Sequence, residues 1–155
     1  MSARLEKVIR QSKLDPSFCA LRHVTRTSRS IVAAVDAALK PAGLTGHQFN
    51  LLMTLARSGP MNVNGVAAAV GMHPSTVPRL MAPLARKRLV RSRAGKDRRE
   101  RVMAATKSGN RKLLAAYPYW AAVQRRVETH LGDQAWRSAM EVLREIRKSV
   151  DTRAG

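Results

Sequence analysis

The chain has 155 residues, 45% hydrophobic and only 4% aromatic, which suits one compact domain with a core of Leu, Val, Ile, Met and Ala and favours helices over a sandwich or barrel. Its 29 basic and 10 acidic residues leave a net charge of +19, a self-repulsion that a polyanion relieves, with nucleic acid ahead of an anionic membrane surface. No apolar run approaches the ~20 residues of a membrane span, and Met1 to Leu14 mix charged with apolar residues instead of forming a signal-peptide core, so no membrane partner and a cytoplasmic location are expected.

The first expected element is a helix over 15–40. Leu21, Val24, Ile31, Val35 and Ala38 recur at helical spacing, Asp15 and Pro16 supply a start, and Pro41-Ala42-Gly43 a stop. A Thr45–Gln48 capping box opens the second helix, with Leu44 and Phe49 placed as a hydrophobic staple; Leu52, Leu55 and Ala56 continue its buried face to Ser58-Gly59-Pro60. Asn62 caps a short third helix, Val63 to Val70, in which Gly65 costs about 1 kcal/mol against alanine. A tight turn, Gly71-Met72-His73, leads to a fourth helix that Pro74 opens and that runs to about Arg88. Two helices joined by a short turn containing Gly form a helix-turn-helix. Leu89 to Arg93 reads as a strand, Ala94 to Arg98 as a turn and Arg99 to Ala104 as a returning strand; a basic hairpin directly after a helix-turn-helix is a wing. Thr106 caps a long helix to about Leu131, bent at Pro118. Gly132 ends it, and Asp133 caps a last helix with Trp136, Ala139, Met140, Leu143 and Val150 on one face. The expected class is mainly α with a small β-hairpin wing.

The charge is not spread evenly. Residues 79–101 hold ten basic side chains (Arg79, Arg86, Lys87, Arg88, Arg91, Arg93, Lys96, Arg98, Arg99 and Arg101) against Asp97 and Glu100. Because the run falls on the fourth helix and the hairpin, it reads as a contact for double-stranded DNA, whose phosphates reward clustered cations through counterion release. A major groove about 12 Å wide admits one helix. The fourth helix would lie there, with Ser75, Thr76 and Arg79 reaching bases or phosphates. Arg86 and Lys87 extend the patch, and the wing from Arg93 to Arg99 would reach an adjacent minor groove.

The ordered set Leu44-Thr45-Gly46-His47-Gln48-Phe49-Asn50-Leu51-Leu52, Gly59-Pro60, Gly71-Met72-His73-Pro74-Ser75-Thr76-Val77-Pro78-Arg79-Leu80, Leu84, Leu89-Val90, Asp97-Arg98-Arg99 and Thr106-Lys107-Ser108-Gly109 resembles the MarR family of winged-helix regulators over roughly residues 15–150. The resemblance implies a winged helix-turn-helix over 45–105 within a single chain of 1–155, flanked by dimerisation helices at 15–40 and 106–150. It implies a homodimer on a pseudo-palindromic operator, with recognition helices about one DNA turn, ~34–36 Å, apart. It also implies that Asp97 orients Arg99 into the minor groove. His73, Pro74 and Pro78 depart from the polar or charged residues usual in the family, and Pro78 and Pro83, each lacking a backbone N–H, are expected to bend the recognition helix. Ala105 replaces the family's leucine.

The remaining singular residues have two readings each. Cys19 is an inert buried thiol, or a redox sensor of the kind found in peroxide-sensing relatives, with Arg22 and His23 lowering its pKa. Tyr117, Tyr119 and Trp120 are packing residues, or Tyr117 and Trp120 with His23 line a site for a small aromatic effector, as the resemblance implies. His47 is a cap neighbour or a pocket wall. One cysteine and four separated histidines give no disulfide and no metal spacing, and no phosphate-loop or metalloprotease motif occurs. Neither an enzyme nor a cofactor nor a metal is expected. The leading function is a sequence-specific transcriptional regulator, a repressor released by an aromatic ligand or oxidant; the alternative is a sequence-tolerant architectural DNA-binding protein.

Overall fold

Side chains that cap backbone N–H groups decide where several helices begin. In a computed structural model the described residues are 3–12, 15–95 and 101–150, and the chain divides into two units, Met1–Ala34 and Val35–Gly155.

The first unit holds helix α1 (Ala3–Ser12), a short 3₁₀ turn (Pro16–Phe18) and most of α2 (Ala20–Leu39). Helix α1 was not among the expected elements. The helix expected from residue 15 starts at Ala20 instead, because Asp15 closes a tighter turn. Its Oδ1 accepts from the Ser17 N–H at 2.8 Å and its carbonyl from the Phe18 N–H at 3.0 Å. The bond from Ser17 holds the Asp15 carboxyl below its ordinary pKa. His23 Nε2–H donates to the Ser17 carbonyl at 2.7 Å, lacing this turn to the first turn of α2.

The second unit carries the buried core. Helix α3 (Gly46–Ser58) opens on the expected capping box: Gln48 N–H donates to Thr45 Oγ1 at 3.2 Å, and Thr45 N–H to Gln48 Oε1 at 3.1 Å. Asp36 Oδ1 accepts from the Gly46 N–H at 2.6 Å, which ties the end of α2 to the start of α3. The staple residues Leu44 and Phe49 are both buried. Strand β1 (Met61–Asn62) leads directly into α4 (Val63–Val70). Asn62 Oδ1 accepts from the Gly65 N–H at 2.7 Å, and a side chain at Gly65 would press its Cβ to 3.1 Å from that oxygen. Gly65 therefore fits the cap, whatever its cost in helix propensity. Gly71 closes α4 at φ 68°.

Helix α5 is Thr76–Arg86, shorter at both ends than expected. Pro74 and Ser75 form a turn ahead of it, with Thr76 N–H donating to the His73 carbonyl at 2.9 Å. Pro78 is then the third helical residue, where a missing N–H removes no intrahelical bond. Pro83 lies inside the helix and deprives the Arg79 carbonyl of its usual donor. The helix ends in a Schellman motif, Arg88 N–H to Ala85 carbonyl and Leu89 N–H to Leu84 carbonyl, both at 2.9 Å. Arg88 occupies the left-handed position at φ 56°, alone among the described non-glycine residues, at a steric cost of about 1 kcal/mol.

Strands β2 (Val90–Ala94) and β3 (Arg101–Ala105) form the expected hairpin with ends displaced by one or two residues, Val90 opposite Ala105 and Ala94 opposite Arg101. Strand β1 adds to β3 through Met61–Met103 and Asn62–Val102, giving an antiparallel sheet ordered β1-β3-β2. Helix α6 (Lys107–Leu131) runs unbroken through Pro118 to Gly132. Asp133 is the first residue of α7 (Asp133–Val150), not its cap; its carboxylate accepts from Arg137 Nε at 2.9 Å, and Trp136 N–H reaches the Gly132 carbonyl.

Thr106 and Gly109 join these parts. Thr106 N–H donates to the Leu89 carbonyl at 3.0 Å, its Oγ1 donates to the Arg88 carbonyl at 2.8 Å, and the same oxygen accepts from the Gly109 N–H at 2.9 Å. A Cβ on Gly109 would run into the Leu89 carbonyl oxygen. Neither this backbone nor that of α6 can withdraw without breaking the cap. Gly109→Ala should therefore destabilise the fold by roughly 2–4 kcal/mol, although alanine is the better helix former. Urea unfolding of both proteins measures this, and a change below about 0.5 kcal/mol would contradict the packing.

Candidate nucleic-acid interface

Helix α5 buries Val77, Met81 and Leu84 at i, i+4 and i+7. That spacing turns Ser75, Arg79, Ala82 and Arg86 to the opposite, exposed side. Thr76 is half-buried at the helix start. On β2, Arg91 and Arg93 share one face of the hairpin by strand alternation, and both are exposed. Arg101 on β3 donates from Nε to Ser92 Oγ at 3.2 Å, on the other face. Lys96, Asp97, Arg98 and Arg99 lie outside the described residues, and with them the Asp97–Arg99 pairing.

Among the described residues the ion pairs all lie on α7: Arg137–Asp133, Arg144–Glu141 and Lys148–Glu145. Arg79, Arg86 and Arg93 are exposed and have no carboxylate partner among the described residues. Lys87 differs. Its Nζ donates to the Gly43 carbonyl at 3.0 Å, so it braces the entrance to α3 and is less available to a ligand than the sequence suggests. The sequence marks His73 only as a departure from the family pattern and not as a contact residue. Its Nδ1 lies 2.7 Å from Ser75 Oγ at the start of α5, a pairing that no periodicity signals.

The effector and redox candidates fall in different units, Cys19 and His23 in the first and Tyr117 and Trp120 in the second. Trp120 stacks on the buried Phe49 with ring centroids 5.7 Å apart, and Tyr117 leans on Trp120 at 5.3 Å. These contacts pack α6 against α3. Tyr117 and Tyr119 remain exposed. His23 belongs to the first unit and is engaged with Ser17. Cys19 is exposed, which corrects the buried reading of that thiol. His47 is exposed in the first turn of α3. No group of three or more metal-ligating side chains occurs among the described residues, and no described helix is long and apolar enough to cross a membrane.

Two helices joined by a turn, followed by an antiparallel hairpin whose exposed residues include Arg91, Arg93 and Arg101, define a winged helix-turn-helix. A family profile described as MarR family matches residues 42–100. Across a longer stretch, the chain is 27% identical over 92 residues to the uncharacterized HTH-type transcriptional regulator YwoH of Bacillus subtilis (strain 168), covering 59% of this chain and 67% of that one. The crystal structure of the M. tuberculosis transcriptional regulator MosR is similar at a TM-score of 0.78 and 29% identity, over 86% of this chain and 96% of that one. The same regulator in complex with DNA is similar at a TM-score of 0.73 and 29% identity, over 85% of this chain and 98% of that one.

The two kinds of cation separate in a salt titration. On duplex DNA, Arg93→Ala should flatten the slope of log affinity against log salt by about 0.9 for each phosphate that is no longer neutralised. Lys87→Ala, already tied to Gly43, should leave the slope nearly unchanged. Equal flattening by both would mean that the Lys87 tether does not hold in solution.

Proposed function

We propose that the chain is a sequence-specific DNA-binding transcriptional regulator. It works as a homodimer on a pseudo-palindromic operator and acts as a repressor released by a small aromatic ligand or an oxidant. The observation that carries this reading is the exposed side of α5 and β2, where Arg79, Arg86, Arg91 and Arg93 are displayed on a helix-turn-helix and wing. An α5 helix whose other face is fixed in the core can enter a major groove without rearranging. Similarity to a regulator solved in complex with DNA supports the same reading.

The dimer reading rests on apolar residues that the single chain leaves bare. Phe18 and Leu21 are 81% and 77% exposed, Leu131, Leu143 and Val150 are also exposed, and α7 buries no residue at all among those described. Helices this amphipathic need a cover, and a second copy supplies one with matching faces at both termini. For release, the Phe49–Trp120–Tyr117 stack links α6 to α3, so a flat aromatic ligand wedging at Tyr117 would push on the helix that precedes the helix-turn-helix. Cys19, the chain's single thiol, is the group that an oxidant would modify.

Sedimentation at micromolar concentration should give a dimer. Titration at fixed physiological salt against a duplex enriched from random sequence, and against a scrambled version, should give an affinity ratio near 10³ or more. A monomer would contradict the assembly. A ratio near one would contradict the regulator and leave a sequence-tolerant architectural protein.

A further inference from the structure

We propose that His73 reads a base edge in the major groove as a unit with Ser75; the inference rests on the DNA-binding reading above. His73 Nδ1 accepts from the Ser75 backbone N–H at 3.3 Å and lies 2.7 Å from Ser75 Oγ. A backbone amide can only donate, so Nδ1 carries no proton and the ring hydrogen sits on Nε2. The Ser75 hydroxyl, facing the same nitrogen lone pair, also gives its hydrogen to Nδ1. What remains outward is a donor at His73 Nε2 and an acceptor at Ser75 Oγ. Both residues are exposed.

The pair is rigid before any ligand arrives. Pro74 between the two residues fixes its own φ. Thr76 N–H to the His73 carbonyl at 2.9 Å and Val77 N–H to the Pro74 carbonyl at 3.3 Å close the turn onto α5. An ordinary serine hydroxyl rotates and can donate to a phosphate or accept from a base. Here the rotation is spent on His73. A phosphate offers acceptors only; it would satisfy Nε2–H but repel the Ser75 lone pairs. A base edge in the major groove offers both kinds of group: acceptors at purine N7, guanine O6 or thymine O4, and donors at adenine N6 or cytosine N4. The chemistry of the pair therefore matches bases, with adenine or cytosine opposite Ser75.

The test uses the full chain and duplexes enriched from a random-sequence pool by the parent protein. Asparagine at position 73 keeps an acceptor near the Nδ1 position for the Ser75 amide but has nothing at Nε2. Glutamine reaches the Nε2 position with an amide N–H. His73→Asn should bind the enriched duplex about ten-fold more weakly, the effect of removing one good hydrogen bond to a base, and bind a scrambled duplex as the parent does. Its own enriched pool should lose base preference at one position per half-site, and His73→Gln should recover part of it. Ser75→Ala should lose the preference for adenine or cytosine at a neighbouring position. Unchanged melting temperatures confirm that these exposed substitutions leave the fold intact. Equal weakening of His73→Asn on both duplexes identifies a phosphate contact and overturns the proposal, as does enrichment of the parent's motif by His73→Asn. If the parent itself enriches no motif, the DNA-reading function fails along with the inference.

Discussion

The carbonyl of Leu89 is the point on which the helix-turn-helix, the wing and α6 all depend. It closes on the Thr106 N–H at 3.0 Å and lies against the bare Cα of Gly109. One residue earlier, the Arg88 carbonyl takes the Thr106 hydroxyl. At this junction α5 has just ended, β2 is about to begin, β3 has just returned and α6 starts. A chain reversal of that kind would leave helix-end carbonyls without partners. Here the cap of one helix satisfies the exit of another, and the wing hangs between them with both its ends fixed.

That fixture explains an unusual tolerance in α5. The helix contains Pro78 and Pro83 and ends on an arginine in a left-handed conformation. None of these favours an isolated helix. Burial of Val77, Met81 and Leu84 and the Schellman bonds to Ala85 and Leu84 offset them. The exposed face is then free to carry arginines and small residues chosen for what they meet outside the protein. The prolines shorten the helix and stiffen its entrance, where Pro74 holds His73 and Ser75 in register.

Much of the fold was legible because caps are local. Thr45 with Gln48, Asn62 and Thr106 each signal a helix start by chemistry within three residues, and all three stand where the sequence places them. Gly71 and Gly132 likewise mark the ends of α4 and α6. Other features were hidden because their causes are not local. Strand β1 is two residues long and exists only through its pairing with β3. Arg88 adopts a conformation normally announced by glycine. Asp15-Pro16 reads as a helix start but makes a 3₁₀ turn, since Ser17 offers a nearer donor. Of the site, the cations were visible in composition. The engagement of Lys87 with Gly43, 44 residues away in the chain, was not, and neither was the commitment of the Ser75 hydroxyl to His73. Trp120 carried two readings, packing and, through the resemblance, an effector site; its stacking on Phe49 supports packing.

The central claim is that α5 lies against DNA, while α7, whose bare face was assigned to the second copy, does not. Ala85 on the flank of α5 and Ser138 on α7 are both exposed. With Cys19 replaced by serine, Ala85→Cys and Ser138→Cys can each carry a tethered iron chelate that cuts nearby DNA strands. On a duplex that the parent enriches, the position-85 conjugate should cut within a few base pairs in each half-site, and the position-138 conjugate should cut little or not at all. Equal cutting from both positions, or stronger cutting from position 138, would contradict the assignment of α5 as the helix that enters the groove.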